Sequence, residues 1–236
     1  LTDRVLERQA SQQVHTPRGP FPIEAQRALG ESMMRAAGFD AQRGRLDVSH
    51  HPFCGGVPSD VRITTRYDES DFTSALMGVL HETGHAKYEQ GLPSEWSLSP
   101  VGAARGMAMH EGQSLLSEMQ VSRSREFLEF LLPHVHAAFP DAVHAQPEAF
   151  TVDNLYRFFT RVSRGKIRVD ADELTYPCHI IVRYGIERQL IDGNMRVEQI
   201  PEAWDTGMRE LLGMQRADTV VDVQPVGCGA DLEHLR

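Results

Sequence analysis

Disulfide staples are not available to this chain. Its three cysteines (Cys54, Cys178, Cys228) are odd in number, far apart and in no C-x-x-C pair. That pattern reads as reduced thiols in a cytoplasmic protein, and the spacing offers no sulfur-based zinc site. A membrane span is missing too: no uncharged apolar run approaches the ~20 residues a bilayer requires. No basic stretch followed by an apolar core marks the N-terminus, so no signal peptide is visible. The chain opens on Leu1, not Met, and its native start is expected upstream. Positive charge is short: 24 Lys+Arg against 33 Asp+Glu leave a net charge of −9. This disfavours nucleic acid and anionic membrane as main partners, because both reward clustered positive charge. Internal repeats and low-complexity tracts are also lacking.

What remains is an ordinary globular composition, 41% hydrophobic and 24% charged over 236 residues. That length can bury a core without cross-links. The eleven histidines are the unusual feature. Local patterning predicts helices over residues 1–14, Ile23–Ala37 (ended by Gly38), Phe72–Gln90, Thr151–Ser163 and Ala171–Ile191. One or two more are predicted within Ala103–Phe130, before Pro133. A last helix opens at Pro201 and stops at Gly213. Val61–Tyr67 alternates apolar and polar residues and predicts a strand. Val220–Val226 is a weaker strand candidate, and His50–Asp60, with two prolines and two glycines, reads as loop. The fold class is therefore mainly α with a small β element.

The central feature is His81-Glu82-Thr83-Gly84-His85. H-E-x-x-H on a helix places two imidazoles one turn apart on the same face. Both then reach one Zn²⁺, and the intervening Glu82 is placed to take a proton from the water the metal activates. At about 100° per residue, Phe72, Ala75, Leu76, Val79, Leu80 and Ala86 fall on one stripe. His81 and His85 fall opposite, Glu82 lies at a border, and Gly78 lies one turn before His81. The helix is thus expected to pack one stripe into the core and turn the other to a cleft. Ser70 or Asp71 would cap it, and Gly91 would stop it.

A catalytic zinc needs a third protein ligand and an open position. Glu89–Glu95 contains no histidine, so a carboxylate from a later helix is expected. Glu111, in Met109-His110-Glu111-Gly112-Gln113-Ser114, is the first candidate and Glu118 its rival. His110 reads equally as a residue behind the ligands or as a core histidine. Co²⁺ or Mn²⁺ would also suit two histidines and a carboxylate.

The chain resembles the Taq-type (thermostable) zinc carboxypeptidases. His51-Pro52-Phe53 matches the family's H-P-F, and Asp60-Val61-Arg62-Ile63-Thr64 its D-x-R-x-T. His81–His85 is its H-E-x-x-H. His110-Glu111-Gly112-Gln113 is similar to its H-E-S-Q, with Gly in place of Ser. Ile167-Arg168-Val169-Asp170-Ala171-Asp172 matches I-R-x-x-A-D, followed by the family-like Glu173-Leu174-Thr175-Tyr176. The resemblance implies metal ligands His81, His85 and Glu111, with Glu82 as general base. It implies a zincin-like helical metallopeptidase fold with a deep groove and a short sheet beside the metal. It implies release of single residues from peptides with a free C-terminus, and homodimers are common in the family. Family members are longer, with a helical portion before the match to Leu1 and a later G-x-x-Q-D-x-H-W. Here Gly227–His234 keeps only the Gly and the Asp of that motif. Residues 1–236 are therefore expected to form a single metal-bearing catalytic region of a longer protein.

Recognition of a terminal carboxylate suits a guanidinium, which donates two parallel charge-assisted hydrogen bonds. Arg168 is the first choice and Arg183 the second, against ion pairs with Asp170, Asp172 or Glu187. His179 and Tyr176 are candidate donors to the oxyanion, against a packing role. His51 would contact substrate or shape its loop. The strand at Arg62–Thr64 is expected to align substrate by strand addition, and Asp60 or Asp172 to orient a ligand histidine. His134, His136 and His144 are expected in an exposed loop. Two alternatives stay open: an endo- or oligopeptidase with the same zinc helix, and a catalytically silent metal-binding fragment.

Overall fold

The computed structural model describes residues 1–214. The Val220–Val226 strand candidate, Cys228 and Gly227–His234 lie outside the described residues. In chain order the elements are α1 (Thr2–Gln9), α2 (Ile23–Ala36), β1 (Gly44–Val48), β2 (Phe53–Val57), β3 (Asp60–Thr65), α3 (Phe72–Gln90) and α4 (Met107–Leu115). Then follow α5 (Arg125–Ala138), α6 (Pro140–Ala145), α7 (Val152–Phe159), α8 (Tyr176–Ile191) and α9 (Ile200–Leu212). A π-helical turn, Leu116–Val121, continues α4. The fold is mainly helical with one small sheet. No helix among the described residues is long and apolar enough to cross a membrane. Contacts divide the chain into two units, Gln12–Thr160 and Leu1–Ser11 with residues from Arg161 onward.

In the Gln12–Thr160 unit, α3 is the organising element. The Asp71 carboxylate caps it by accepting from the Thr73 and Ser74 amides, satisfying donors a helix start leaves open. On one flank Phe72, Leu76, Met77 and Leu80 join an aromatic cluster with Phe21, Phe139 and Phe150. Phe21 stands edge-on to Phe72 and Phe139 at centroid distances of 4.8 and 5.0 Å, a favoured ring geometry. On the other flank Val79 and Ala86 pack with Met34, Phe39, Leu46, Val61 and Ile63 beneath the sheet. Burial then continues around the histidine side, through Glu82, Thr83, Gly84 and His85. The expectation of one core stripe and one open stripe is corrected here: α3 is buried nearly all round.

The sheet has the order β1-β3-β2, with β1 parallel and β2 antiparallel to β3. Three expectations change. First, His50–Asp60 is not all loop, since Phe53–Val57 forms β2. Its glycines disguised it: Gly56 has φ +102°, and a Cβ there would stand 2.2 Å from the Asp60 carbonyl oxygen, so only glycine fits the hairpin. Second, β1 was not foreseen. Third, β3 is the central strand, so Arg62–Thr64 has no free edge for strand addition.

Helix α5 runs through Pro133. His134 and His136 are therefore helical, and His144 lies in α6, which corrects the loop reading. His136 Nε2 lies 3.0 Å from the Phe150 carbonyl oxygen.

In the other unit, α8 and α9 pack through Val182, Ile186, Trp204, Met208 and Leu212. Helix α8 begins at Tyr176, five residues later than expected from Ala171. The Asp172 carboxylate takes the amides of Ser163, Leu174 and Thr175, and Pro177 fits a first helical turn. Helix α9 starts at Pro201's turn and ends on Gly213 at φ +66°, both as expected.

Candidate metal centre

Two neighbouring helices bring three donor atoms together. From α3, His81 Nε2 and His85 Nε2 lie 3.6 and 3.1 Å from Glu111 Oε2 of α4. The three ligand atoms all lie within 4.8 Å of one another. The two rings stand edge to face, with centroids 5.1 Å apart. Donors bound to one divalent ion at about 2.0–2.2 Å would sit a little over 3 Å apart, so the set suits such an ion. Gly84 permits the helices to meet this closely: a Cβ there would lie 2.6 Å from Ser114 Cα. Gly78, expected to leave space, meets only ordinary contacts, the nearest at 3.7 Å. Ser114 Oγ stands 3.0 Å from Glu111 Oε2.

The opposite edges of both imidazoles are also engaged. His81 Nδ1 is 2.9 Å from Glu118 Oε2, and Glu118 Oε1 accepts from Arg123 Nη2 at 2.6 Å. Arg123 Nη1 donates to the Phe159 carbonyl at 3.1 Å. The π turn that carries Glu118 is pinned to α3 by Ser117 Oγ, which donates to the Leu80 carbonyl at 2.8 Å. Glu118, the rival ligand, therefore lies behind His81, while Glu111 faces both Nε2 atoms. His85 Nδ1 is 2.6 Å from His110 Nδ1, and His110 Nε2 is 2.7 Å from Glu89 Oε1. Asp60 and Asp172 orient neither histidine: Asp60 pairs with Arg62 at 2.7 Å, and Asp172 accepts from the amides of Ser163, Leu174 and Thr175.

The electrostatics follow from burial and these pairings. Burial pushes the Glu82 carboxyl above its ordinary range, against the pull of His81 and His85. Burial works against a charge on His81 as well. There Glu111 and Glu118 outweigh it and push the pKa up to about 10. Glu118 is held low despite its burial by His81 and Arg123. Burial pushes the Cys54 thiol up to about 12, which leaves it an inert thiol.

The remaining candidates have the following surroundings. The His51 side chain is exposed, and its carbonyl accepts from Thr64 Oγ1 at 3.2 Å. Thr64 Oγ1 also accepts from the Phe53 amide at 3.1 Å, so the H-P-F and D-x-R-x-T segments brace each other. In the unit that contains α8, Arg168 Nη1 donates to Tyr176 Oη at 2.8 Å. Among the described residues no ion pair joins Arg168 to Asp170, Asp172 or Glu187. Arg183 stacks over Trp204 at 4.9 Å. His179 is fully buried, and burial lowers its pKa. Glu89, Ser114 and Arg123 were not foreseen. The spacing of Glu89 four residues after His85, one turn along the same face, was the available signal.

A model of the Carboxypeptidase Taq (M32) metallopeptidase family matches residues 1–223. Thermostable carboxypeptidase 1 of Thermus thermophilus is 39% identical over 219 residues, 92% of this chain and 42% of its own length. The protein of the same name from Pyrococcus furiosus is 33% identical, with 91% and 43% covered. The solved Trypanosoma cruzi metallocarboxypeptidase 1 superposes with a TM-score of 0.85 at 49% identity, over 91% of this chain and 44% of that one. The M32 carboxypeptidase of Deinococcus radiodurans gives 0.81 at 39% identity, with 91% and 42% covered. The chain thus spans well under half the length of the relatives it matches. Family match, identity and fold agree: this chain belongs to the Carboxypeptidase Taq (M32) metallopeptidase family.

Proposed function

We propose that the chain is the metal-bearing part of a zinc-dependent carboxypeptidase that hydrolyses the C-terminal peptide bond. The observation that carries this is the convergence of His81 Nε2, His85 Nε2 and Glu111 Oε2, with buried Glu82 between the histidines on the same helix. Two imidazoles and a carboxylate suit Zn²⁺, and Co²⁺ or Mn²⁺ would be accepted by the same donors. A divalent ion supplies Lewis acidity, acidifying water and polarising a carbonyl.

The chain's own residues do the rest. Glu118 and His110 hold the two rings with Nε2 forward. Glu82, its pKa raised by burial, takes the proton of the attacking water and returns it to the leaving amine. Arg168 is assigned the substrate's free carboxylate on its chemistry, since a guanidinium offers a carboxylate two parallel charge-assisted hydrogen bonds. His179 and Tyr176 are assigned the oxyanion, and Arg183 and His51 are further substrate-contact candidates. The outer edge of β2 is the proposed peptide-aligning edge. The preferred compartment is the cytoplasm, from the thiol pattern, and a homodimer is the proposed assembly.

The test is hydrolysis of matched peptides with free and amidated C-termini, with and without chelator. Release of the last residue from the free peptide alone, abolished by chelator and restored by Zn²⁺, is expected. Equal cleavage of both peptides would establish an endopeptidase. Stoichiometric zinc without turnover by this chain, which spans 42% of the Thermus protein, would establish a metal-binding portion that is silent alone.

A further inference from the structure

We propose that His110, held by Glu89, is a positioning residue that fixes the tautomer of His85 and so aims its Nε2 lone pair at the ion. The inference rests on the metal-site reading above. It starts from the chemistry of Glu89, whose carboxylate at 2.7 Å from His110 Nε2 can only accept. The Nε2 of His110 is then the N–H, and its Nδ1 carries a lone pair. That lone pair faces His85 Nδ1 at 2.6 Å, so His85 must donate from Nδ1. Its own lone pair is left on Nε2, which, with Glu111 Oε2 3.1 Å away, would face an ion lying between the two. The assignment runs from Glu89 through His110 to His85 Nδ1, and it applies to the ion-loaded site, where Glu111 and Nε2 both face the ion.

The two ligand histidines are thus oriented by unlike devices. His81 leans directly on a carboxylate, Glu118, whereas His85 reaches its carboxylate through a second imidazole. The relay couples the two helices. Glu89 lies one turn after His85 on α3, and His110 immediately precedes Glu111 on α4. The side chains are well covered, at 11%, 14% and 24% exposure for His85, His110 and Glu89. Tyr88 closes one side, its ring edge-on to His110 with centroids 5.2 Å apart. Partners behind metal ligands typically change affinity about 10–100-fold when removed.

Two substitutions separate positioning from packing. His110→Phe fills the ring's space without an acceptor, and His110→Asn supplies an acceptor near the Nδ1 position without the ring. Zinc dissociation constants of the 236-residue chain are read by competition with a chromophoric chelator, and circular dichroism of the metal-free variants checks folding. Expected is a loss of about 10–100-fold for Phe and only a few-fold for Asn. Glu89→Ala, which leaves the ring in place, is expected to weaken binding and reads the relay even if Phe disturbs folding. Two-bond ¹H–¹⁵N correlation of the zinc-loaded wild type is expected to show His85 protonated at Nδ1. Wild-type affinity in the Phe or Glu89→Ala variant, or Asn as weak as Phe, overturns the inference. Failure of the underlying reading looks different: the wild type takes up no stoichiometric zinc, or His81→Ala binds it as tightly.

Discussion

Gly84 backs directly onto Ser114. A methyl group on Gly84 would stand 2.6 Å from the Ser114 Cα and 2.6 Å from the Gln113 carbonyl oxygen, atoms of a backbone that cannot swing aside. Gly84→Ala must push α4 from α3, which carries Glu111 away from both histidines. Overpacking of this kind costs about 1–3 kcal/mol. The variant is expected to melt several degrees lower and to bind zinc more weakly. An unchanged melting temperature would show that the helices part freely.

Glu82→Gln is expected to keep the metal and lose the reaction. The amide fills the same buried space but cannot take a proton. A fall of about 10²–10⁴-fold in peptide hydrolysis is expected, with zinc stoichiometry unchanged by atomic absorption. Loss of the metal in this variant would give Glu82 a ligating role.

Much of this arrangement could be read from the sequence. Asp71 and Gly91 bracket α3, Pro201 and Gly213 bracket α9, and the His81–His85 spacing announces two imidazoles turned the same way on one helix. What escaped depends on contacts between elements. β2 is disguised by Gly55 and Gly56, whose freedom serves a hairpin only when β3 is beside it. Pro133 looked like a helix end because propensity cannot see the packing of Leu128, Leu131 and Val135 that carries α5 across it. The choice between Glu111 and Glu118 turned on the π turn and on the helix approach at Gly84, neither of which is a local property.

Arg168→Lys tests recognition of the free terminus. Lysine keeps the charge and gives up the two-pronged geometry, worth roughly one charge-assisted hydrogen bond, or about tenfold or more in affinity. KM for free-carboxylate peptides should rise by that factor, with kcat little changed. If KM is unmoved, the terminal carboxylate is bound elsewhere.

The metal-free protein should show a pH signature at His81 and Glu118. The His81 pKa is raised from 6.5 to about 10, so its contribution is complete below about 6.5 and is lost as pH climbs through about 10. Glu118 is lowered from 4.5, so its contribution is present above 4.5 and is lost as pH falls through the lowered value. The stability gap between wild type and Glu118→Gln, measured in chelator, should be widest between pH 4.5 and 6.5. It should narrow on either side, and a flat gap would show that the two groups do not interact in solution.

Helix α3 is covered on most of its surface, by the aromatic cluster, the sheet and α4. An ion held by His81, His85 and Glu111 would tie α3 to α4, two walls of the Gln12–Thr160 unit. Occupancy and folding would then be one equilibrium read from two ends, and a free ion at a hundredfold excess over its dissociation constant would add about 2.7 kcal/mol by mass action. A chelator would then act as a mild denaturant, and ion-starved protein would be the form that proteases meet first.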